Sequence, residues 1–155
     1  MKVERPALIS KITEAFKNVR LEDGIGLSEA DAIDSYSNLQ HRAACRKNDE
    51  KDNWNAIPSE LLNNYYCSLN FFDASGMRFH LPAFMLSEIK REYKFGMSFP
   101  LTNLSDYSRS QFALLSANQR EAVKLFLTYL LEDPNYEFEK PEIQRAIDNY
   151  WGTSA

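Results

Sequence analysis

The polar residues best suited to chemistry lie within one aromatic-rich segment, 70–84. Asp73, Arg78 and His80 occur there among large apolar residues, namely Phe71, Phe72, Phe79, Leu81 and Phe84. In a structural interpretation, Asp73 accepts hydrogen bonds from turn N–H groups, Arg78 forms a pair across a hairpin and His80 hydrogen-bonds locally. In a functional interpretation, Arg78 and His80 point from a rigid frame towards a ligand or partner. We prefer the structural interpretation.

A second candidate site is the acidic segment near the C-terminus, which also carries two aromatic residues. Its members are Glu132, Asp133, Tyr136, Glu137, Phe138, Glu139 and Glu142. Carboxylates steer a basic partner towards a surface, and exposed aromatic side chains anchor it. The pattern is thus typical of a binding surface for a basic protein. An ordinary solvated connection between two helices is the other interpretation, and we prefer it.

Enzyme motifs are absent from the sequence. It contains no G-x-x-x-x-G-K-[ST], no G-x-G-x-x-G, no H-E-x-x-H and no G-x-S-x-G. Cys67 and His80 are a conceivable nucleophile and base. Cys67, however, follows Tyr65 and Tyr66 near the end of a predicted helix, where a buried and inert thiol is expected. The sequence therefore predicts a protein without catalytic residues and without a cofactor.

A metal site is not predicted either. His41 and Cys45 are four residues apart, which would place them on one face of a helix. Two ligands do not make a zinc site, and the other two would have to come from distant parts of the chain. Cys45 and Cys67 are instead expected to be free thiols in a reducing cytoplasm.

Length and charge restrict the class of protein further. Residues 1–155, of which 44% are hydrophobic, are expected to form a single domain with its own core. The net charge is −4, and residues 120–155, with 7 acidic and 4 basic residues, contribute −3 of it. No basic stripe indicates a nucleic-acid partner, and no apolar run of about 18 residues indicates a membrane span. We expect a cytoplasmic protein whose partner is another protein.

Apolar residues recur at helical spacing along most of the chain and predict five or six amphipathic helices. These helices begin at or near Pro6, Ser28, Pro58, Pro82, Ser116 and Pro141. The helix at Ser116 has the clearest start, because Ser116 and Gln119 form a capping box. Residues 41–53 are polar and are expected to form an exposed loop or a frayed helical end. Residues 102–111 are expected to form a surface loop.

A short β-hairpin is predicted around the polar residues Asp73, Arg78 and His80. Residues 73–76, Asp-Ala-Ser-Gly, form a turn signal between two apolar-rich segments. Alternation along the second strand would place Phe79 on one face, with Arg78 and His80 on the other. The predicted fold is therefore mainly α, a single-domain bundle of five to six helices with one short β-hairpin.

Segment 71–84 resembles a sequence box in a family of small bacterial proteins of unknown function. The box has the pattern F-x-D-x-x-G-x-R-F-x-L-P-A, and this chain has Ala74 where proline usually follows the aspartate. Weaker similarities occur at Trp54, Ile57-Pro58, Leu114 to Gln119, and Phe126-Leu127. The resemblance covers about residues 54–131 and implies a shared fold without an established activity.

Together these observations predict a non-enzymatic interaction protein. Its most specific form is an immunity or antitoxin-like inhibitor that binds a basic toxin domain and occludes its active site. One alternative is a small enzyme or ligand-binding protein that uses Asp73, Arg78 and His80. A second alternative is a structural subunit of a phage or secretion assembly.

Overall fold

The computed structural model describes residues 2–153, and this part of the chain is helical without a β-strand. Its α-helices are α1 (Arg5–Ala15), α2 (Leu27–Asp34), α3 (Leu39–Asn48), α4 (Ser59–Asn64), α5 (Ala74–Ile89), α6 (Ser98–Thr102), α7 (Asp106–Gln111), α8 (Ala117–Leu131) and α9 (Lys140–Ala146). Three 3-10 helices lie between them, at Trp54–Ala56, Tyr66–Asn70 and Pro134–Glu139, and a π-helical turn, Ile147–Trp151, follows α9. The described residues are thus mainly α as predicted, but the predicted β-hairpin is wrong.

Helix α5 replaces the predicted hairpin. Asp73 is its N-cap, and Oδ1 of Asp73 accepts a hydrogen bond from the N–H of Gly76 at 2.8 Å. Aspartate is among the most favourable N-cap residues, since its side chain satisfies an N–H group that has no partner inside the helix. The Asp-x-x-Gly pattern that suggested a β-turn is therefore the start of a helix.

The position of α5 in the core explains why its apolar pattern was misleading. Phe79, His80 and Leu81 are all buried, so no exposed face alternates with a covered one. A helix that is apolar on nearly all sides lies in the interior of a domain. Pro82 was expected to begin a helix but lies in the middle of α5, where it cannot donate to the carbonyl group of Arg78. Burial around the circumference of α5 offsets this lost hydrogen bond.

The loop predicted over residues 41–53 is also corrected, because α3 is helical as far as Asn48. The side chain of Asn38 caps its start by accepting a hydrogen bond from the N–H of His41 at 2.8 Å. The Lys51 ammonium group caps its end by donating to three backbone carbonyl oxygens at 2.8 to 3.1 Å. No residue of α3 is buried, so the segment lies at the surface as expected but is not a loop.

Side-chain caps also determine where helices begin in the second half of the chain. The capping box predicted at Ser116 is confirmed: its Oγ accepts from the N–H of Gln119 at 3.2 Å, and Gln119 Oε1 accepts from the N–H of Ser116 at 2.9 Å. The loop predicted over 102–111 is partly wrong, since Ser105 caps the short helix α7 there. Helices α6 and α7 thus lie where no helix was expected, and α3 lies where an exposed loop or a frayed helical end was expected.

One hydrophobic cluster forms the core, and α5 packs in it against α1, α4 and α7. Its largest fully buried side chains are six phenylalanines: Phe16, Phe72, Phe79, Phe84, Phe112 and Phe126. Both indole N–H groups are paired inside it, that of Trp54 with the carbonyl oxygen of Phe16 at 2.9 Å and that of Trp151 with Leu101 at 2.8 Å. Most of the aromatic content therefore serves packing, and the exposed aromatic residues need a separate explanation.

Candidate protein-binding groove

Asp73 joins the start of α5 to the loop that follows α1. Its Oδ1 accepts a second hydrogen bond, from the N–H of Ile25 at 3.0 Å. The two backbones are in close contact here, because a Cβ atom added at Gly24 would lie 2.7 Å from the nitrogen of Gly76. Asp73 therefore holds a loop–helix junction together.

His80 lies entirely within the core. Its ring stacks on Phe72 with 4.3 Å between the ring centroids, and its Nδ1 lies 2.7 Å from the carbonyl oxygen of Gly76. A carbonyl oxygen only accepts, so Nδ1 carries the proton and donates. Burial lowers the pKa of His80 to about 4, which keeps the imidazole neutral at pH 7. A ligand at the surface does not reach this side chain.

Arg78 lies on the partly exposed side of α5. Its Nη2 is 3.5 Å from Oε2 of Glu22, whereas its Nε is buried without a hydrogen-bond partner among the described residues. The partner that was expected across a hairpin is thus provided by the loop after α1. The structure places Asp73, Arg78 and His80 at the start of one helix but does not gather them around a common cavity.

Part of the acidic C-terminal segment is held by local contacts. Asp133 caps a 3-10 helix by accepting a hydrogen bond from the N–H of Asn135 at 2.9 Å, and Glu137 forms an ion pair with Lys140 at 2.9 Å. Glu132 is exposed, and with Asp133 it lines a cavity beside the N-terminal segment. These three acidic residues therefore do not form one site.

Tyr136 and Glu139 do share a site, a surface groove of about 320 Å³ that we call the aromatic groove. It is lined by Phe95, Gly96, Ser98, Phe99, Thr102, Tyr136, Glu139 and Glu142. Phe95 and Phe99 are 52% and 69% exposed, unlike the phenylalanines of the core. Exposed aromatic side chains and carboxylates thus meet in one groove.

The sequence does not single out Phe95 and Phe99. Phe95 lies at the end of the helix predicted to begin at Pro82, and Phe99 lies in α6, where no helix was expected; neither belongs to a predicted apolar stripe. Tyr136 is far from them along the chain and reaches them only through the fold. The available signal was the occurrence of two large apolar residues in a segment without a predicted apolar stripe, since exposed apolar residues often mark interaction sites.

Glu88 links the two sides of the aromatic groove. Its Oε1 accepts a hydrogen bond from the N–H of Met97 at 2.6 Å, and its Oε2 accepts one from the hydroxyl group of Tyr136. Burial raises the pKa of the Glu88 carboxyl group, and the two hydrogen bonds oppose that shift. Burial also raises the pKa of Tyr136, so the phenol keeps its proton and remains the donor.

Gly96 forms the turn between Phe95 and Phe99. Its φ of +76° lies in the left-handed region that favours glycine. A Cβ atom at this position would lie 2.7 Å from the hydroxyl oxygen of Tyr136. Phe95 is further held by Tyr66, with 3.8 Å between the stacked ring centroids. The wall of the groove is therefore positioned by defined contacts although its rings are exposed.

The aromatic groove has the chemistry of a surface that binds cationic side chains. Glu139 and Glu142 are the charged residues of its lining, and neither forms an ion pair with another described residue. Aromatic rings attract ammonium and guanidinium groups through their quadrupole, and carboxylates compensate the positive charge. The basic residues Arg91 and Lys94 line the adjoining cavity instead.

A larger cavity of about 400 Å³ lies beside the end of α3, but its charged groups already have partners. Asp49 accepts hydrogen bonds from the N–H groups of Ser28 and Glu29, both at 3.0 Å. Lys51 and Glu50 are bound to nearby backbone groups. Because Glu139 and Glu142 lack such partners within residues 2–153, the aromatic groove is the stronger candidate for binding.

Residues 2–153 contain neither a cluster of potential metal ligands nor a membrane span. Over this range, no three side chains among His, Cys, Asp and Glu are close enough to hold a metal ion together. Each described helix is too short or too polar to cross a bilayer. Cys45 and Cys67 are free thiols, and both are half-buried.

Comparison with known proteins gives a family without an activity. No curated protein and no solved structure matches the chain. A family model does match it, over residues 4–155. The resemblance noted in the sequence also implied a family of unknown function. The chain belongs to the family of unknown function DUF6714.

Proposed function

We propose that this protein is a non-enzymatic interaction protein that binds a basic segment of another protein in the aromatic groove. In its most specific form, it is a cytoplasmic immunity or antitoxin-like inhibitor that covers the active site of a basic toxin domain. One observation carries the proposal: two exposed phenylalanines line the same groove as two carboxylates that form no ion pair with any described residue.

The size of the aromatic groove determines what it accepts. Its volume of about 320 Å³ is at the lower end of the range for ligand clefts. It therefore accepts one or two side chains of a partner protein. An arginine or lysine fits best, because its aliphatic stem packs on Phe95 or Phe99 while its charged end approaches Glu139 or Glu142.

The charge distribution supports the same partner. Residues 120–155 carry 7 acidic and 4 basic residues, and Glu139 and Glu142 are among them. Negative charge around a groove accelerates the approach of a positively charged partner, and salt screens this effect within about 8 Å at physiological ionic strength. Binding is expected to weaken as the salt concentration rises.

A labelled peptide in which arginine alternates with leucine is the probe for this proposal, with fluorescence anisotropy as the measurement. The double variant Glu139→Gln/Glu142→Gln should weaken binding at least about ten-fold, which corresponds to a loss of about 1.4 kcal/mol of binding free energy. Phe99→Ala should weaken binding as well.

The matched control removes the same charge elsewhere. Glu60 and Glu121 are exposed and lie outside the groove lining, so Glu60→Gln/Glu121→Gln should change the affinity by less than about three-fold. Equal losses in the two double variants would show that net charge, not the groove, attracts the peptide. Equal binding of a peptide with glutamate in place of arginine would refute a cation-binding groove.

The immunity form needs a separate experiment, in which the product of an adjacent gene is the candidate toxin. Co-expression should restore the growth of cells that produce this toxin. The Glu139→Gln/Glu142→Gln variant should lose this protection, and the Glu60→Gln/Glu121→Gln variant should keep it. Protection by both variants would refute inhibition through the groove.

A further inference from the structure

Helix α3 presents an imidazole and a thiol side by side at the protein surface. Nε2 of His41 lies 3.6 Å from Sγ of Cys45. His41 is exposed and Cys45 is half-buried, and no residue of α3 belongs to the core. The two side chains meet because residues four apart lie on one face of a helix. The exposed imidazole of His41 leaves the pair open to a ligand from outside the chain.

The separation of the two atoms fits neighbouring ligands of a tetrahedral zinc ion. Zinc binds thiolate sulfur at about 2.3 Å and imidazole nitrogen at about 2.0 to 2.1 Å, so tetrahedral coordination separates the two ligand atoms by about 3.5 to 3.6 Å. The observed distance is 3.6 Å. The distance between His41 Nε2 and Cys45 Sγ thus matches that between two ligand atoms of one zinc site.

The other half does not come from the same chain. Asp49 continues the row of His41 and Cys45 along α3, but Ser28 and Glu29 already occupy its oxygens: Oδ1 accepts from the N–H and the hydroxyl group of Ser28, and Oδ2 from the N–H of Glu29. Three potential metal ligands do not come together anywhere in residues 2–153. A single chain therefore offers two ligands.

We propose that two copies of this chain bind one zinc ion between their α3 helices, each copy contributing His41 Nε2 and Cys45 Sγ. The two thiols lose their protons to the solvent, and the two thiolates neutralise the charge of Zn²⁺. A two-fold axis through the ion makes both halves equivalent and closes the assembly at two copies.

The surface around the pair allows this approach. Ala44 and Asn48 flank His41 and Cys45 on the same face, and both are exposed, small or uncharged. The nearest guanidinium groups are bound elsewhere: Nε of Arg42 donates to the carbonyl oxygen of Ser37 at 2.9 Å, and Arg46 donates to carbonyl groups of the loop before α2. These hydrogen bonds turn both guanidinium groups towards other parts of the chain.

Zinc titration of the full chain under a phosphine reductant tests the proposal, with light scattering as the measurement of mass. The mass should double from 17.9 kDa at one zinc per two chains, and EDTA should restore the single-chain mass. Cobalt in place of zinc should give a thiolate charge-transfer band and strong visible bands, which report tetrahedral coordination by sulfur. Zinc bound at constant mass, or a cobalt spectrum without the thiolate band, would overturn the proposal.

Matched variants assign the ligands. Cys45→Ser and His41→Ala should each abolish the zinc-dependent doubling, while Cys67→Ser should leave it unchanged. Circular dichroism should show native helix content in all three, since α3 contributes nothing to the core. A dimer that survives in Cys45→Ser or in His41→Ala, or that EDTA does not dissociate, would refute the site. The outcome is independent of peptide binding in the aromatic groove.

Discussion

Replacing Asp73 by alanine is expected to destabilise the junction between α5 and the loop after α1. One carboxylate oxygen accepts both hydrogen bonds at this junction, from the N–H of Gly76 at 2.8 Å and from the N–H of Ile25 at 3.0 Å. Alanine removes both acceptors at once. Asparagine keeps an oxygen in the same place and removes only the charge.

The expected loss of unfolding free energy follows from these two hydrogen bonds. Loss of an N-cap lowers the free energy of unfolding by about 1 kcal/mol. Loss of the acceptor for Ile25, at a position that water can reach, adds about 0.5 to 1.5 kcal/mol. The alanine variant should therefore lose about 2 kcal/mol, which lowers the Tm of a chain of this size by about 4 to 8 °C. The asparagine variant should lose less than about 1 kcal/mol, the value of a charge near a helix N-terminus.

Urea unfolding followed by circular dichroism measures both values. The slope of the free energy against urea should stay the same in the three proteins, because the fold and the area exposed on unfolding do not change. An alanine variant within about 0.5 kcal/mol of the unmodified protein would refute the capping role. A loss in the asparagine variant as large as that in the alanine variant would show that charge, not hydrogen bonding, holds the junction.

Two further predictions concern His80 and Gly96. The pKa of His80 is about 4 in the folded protein against 6.5 when unperturbed, so the unfolded chain binds more protons between these pH values. The contribution of His80 to the free energy of unfolding is therefore complete above pH 6.5 and falls by about 3 kcal/mol towards pH 4. Urea unfolding across this pH range should show the fall, and His80→Phe should flatten it; parallel pH profiles for the two proteins would contradict the assignment. Gly96→Ala should lower the free energy of unfolding by about 1 to 2 kcal/mol because of the positive φ, and further because the new methyl group meets the hydroxyl of Tyr136. Adding Tyr136→Phe removes that contact. Urea unfolding should therefore show a smaller loss of unfolding free energy in the double variant than the sum of the losses in the two single variants. Strict additivity of these losses would contradict the steric argument.

Helices that carry a one-sided apolar stripe and a local start signal could be predicted from the sequence. Ser116 with Gln119 specified the start of α8, and Pro6 and Pro141 lie in the first turns of α1 and α9. These signals act within one helical turn, so they do not depend on the rest of the fold. Segments stabilised by distant contacts were not predictable in this way. The end of α3, for example, depends on a lysine beyond the helix that binds its last carbonyl groups.

Helix α5 shows where periodicity arguments fail. A helix covered on all sides has no polar face, so its sequence lacks the 3.6-residue alternation on which assignment depends. Over a few residues, Arg78 and His80 mimic the polar face of a strand. The difference between helix and strand was decided by the cap at Asp73 and by burial of His80, and burial is a property of the assembled core.

The aromatic groove was only half predictable for a similar reason. Charge and aromatic content indicated Tyr136 and Glu139, because both properties are visible in a short segment. Phe95 and Phe99 reach them through Glu88, whose carboxylate joins Met97 on one side to Tyr136 on the other. Such a bridge between distant segments has no local signature in the sequence.

The distinctive segment 71–84 and the aromatic groove differ in what fixes their residue types. At the start of α5, contacts within the chain account for three identities: Asp73 caps the helix, Gly76 has no room for a Cβ atom beside Ile25, and His80 both stacks on Phe72 and donates to a carbonyl group. A segment can therefore look unusual because its residues hold the fold together. Phe99 is the opposite case, since the fold leaves 69% of it in water, where a large apolar side chain gains nothing from the core. Phe99 also lies beside the carboxylates of the aromatic groove, and this combination is why we propose the groove, and not the most distinctive segment, as the place where a partner binds.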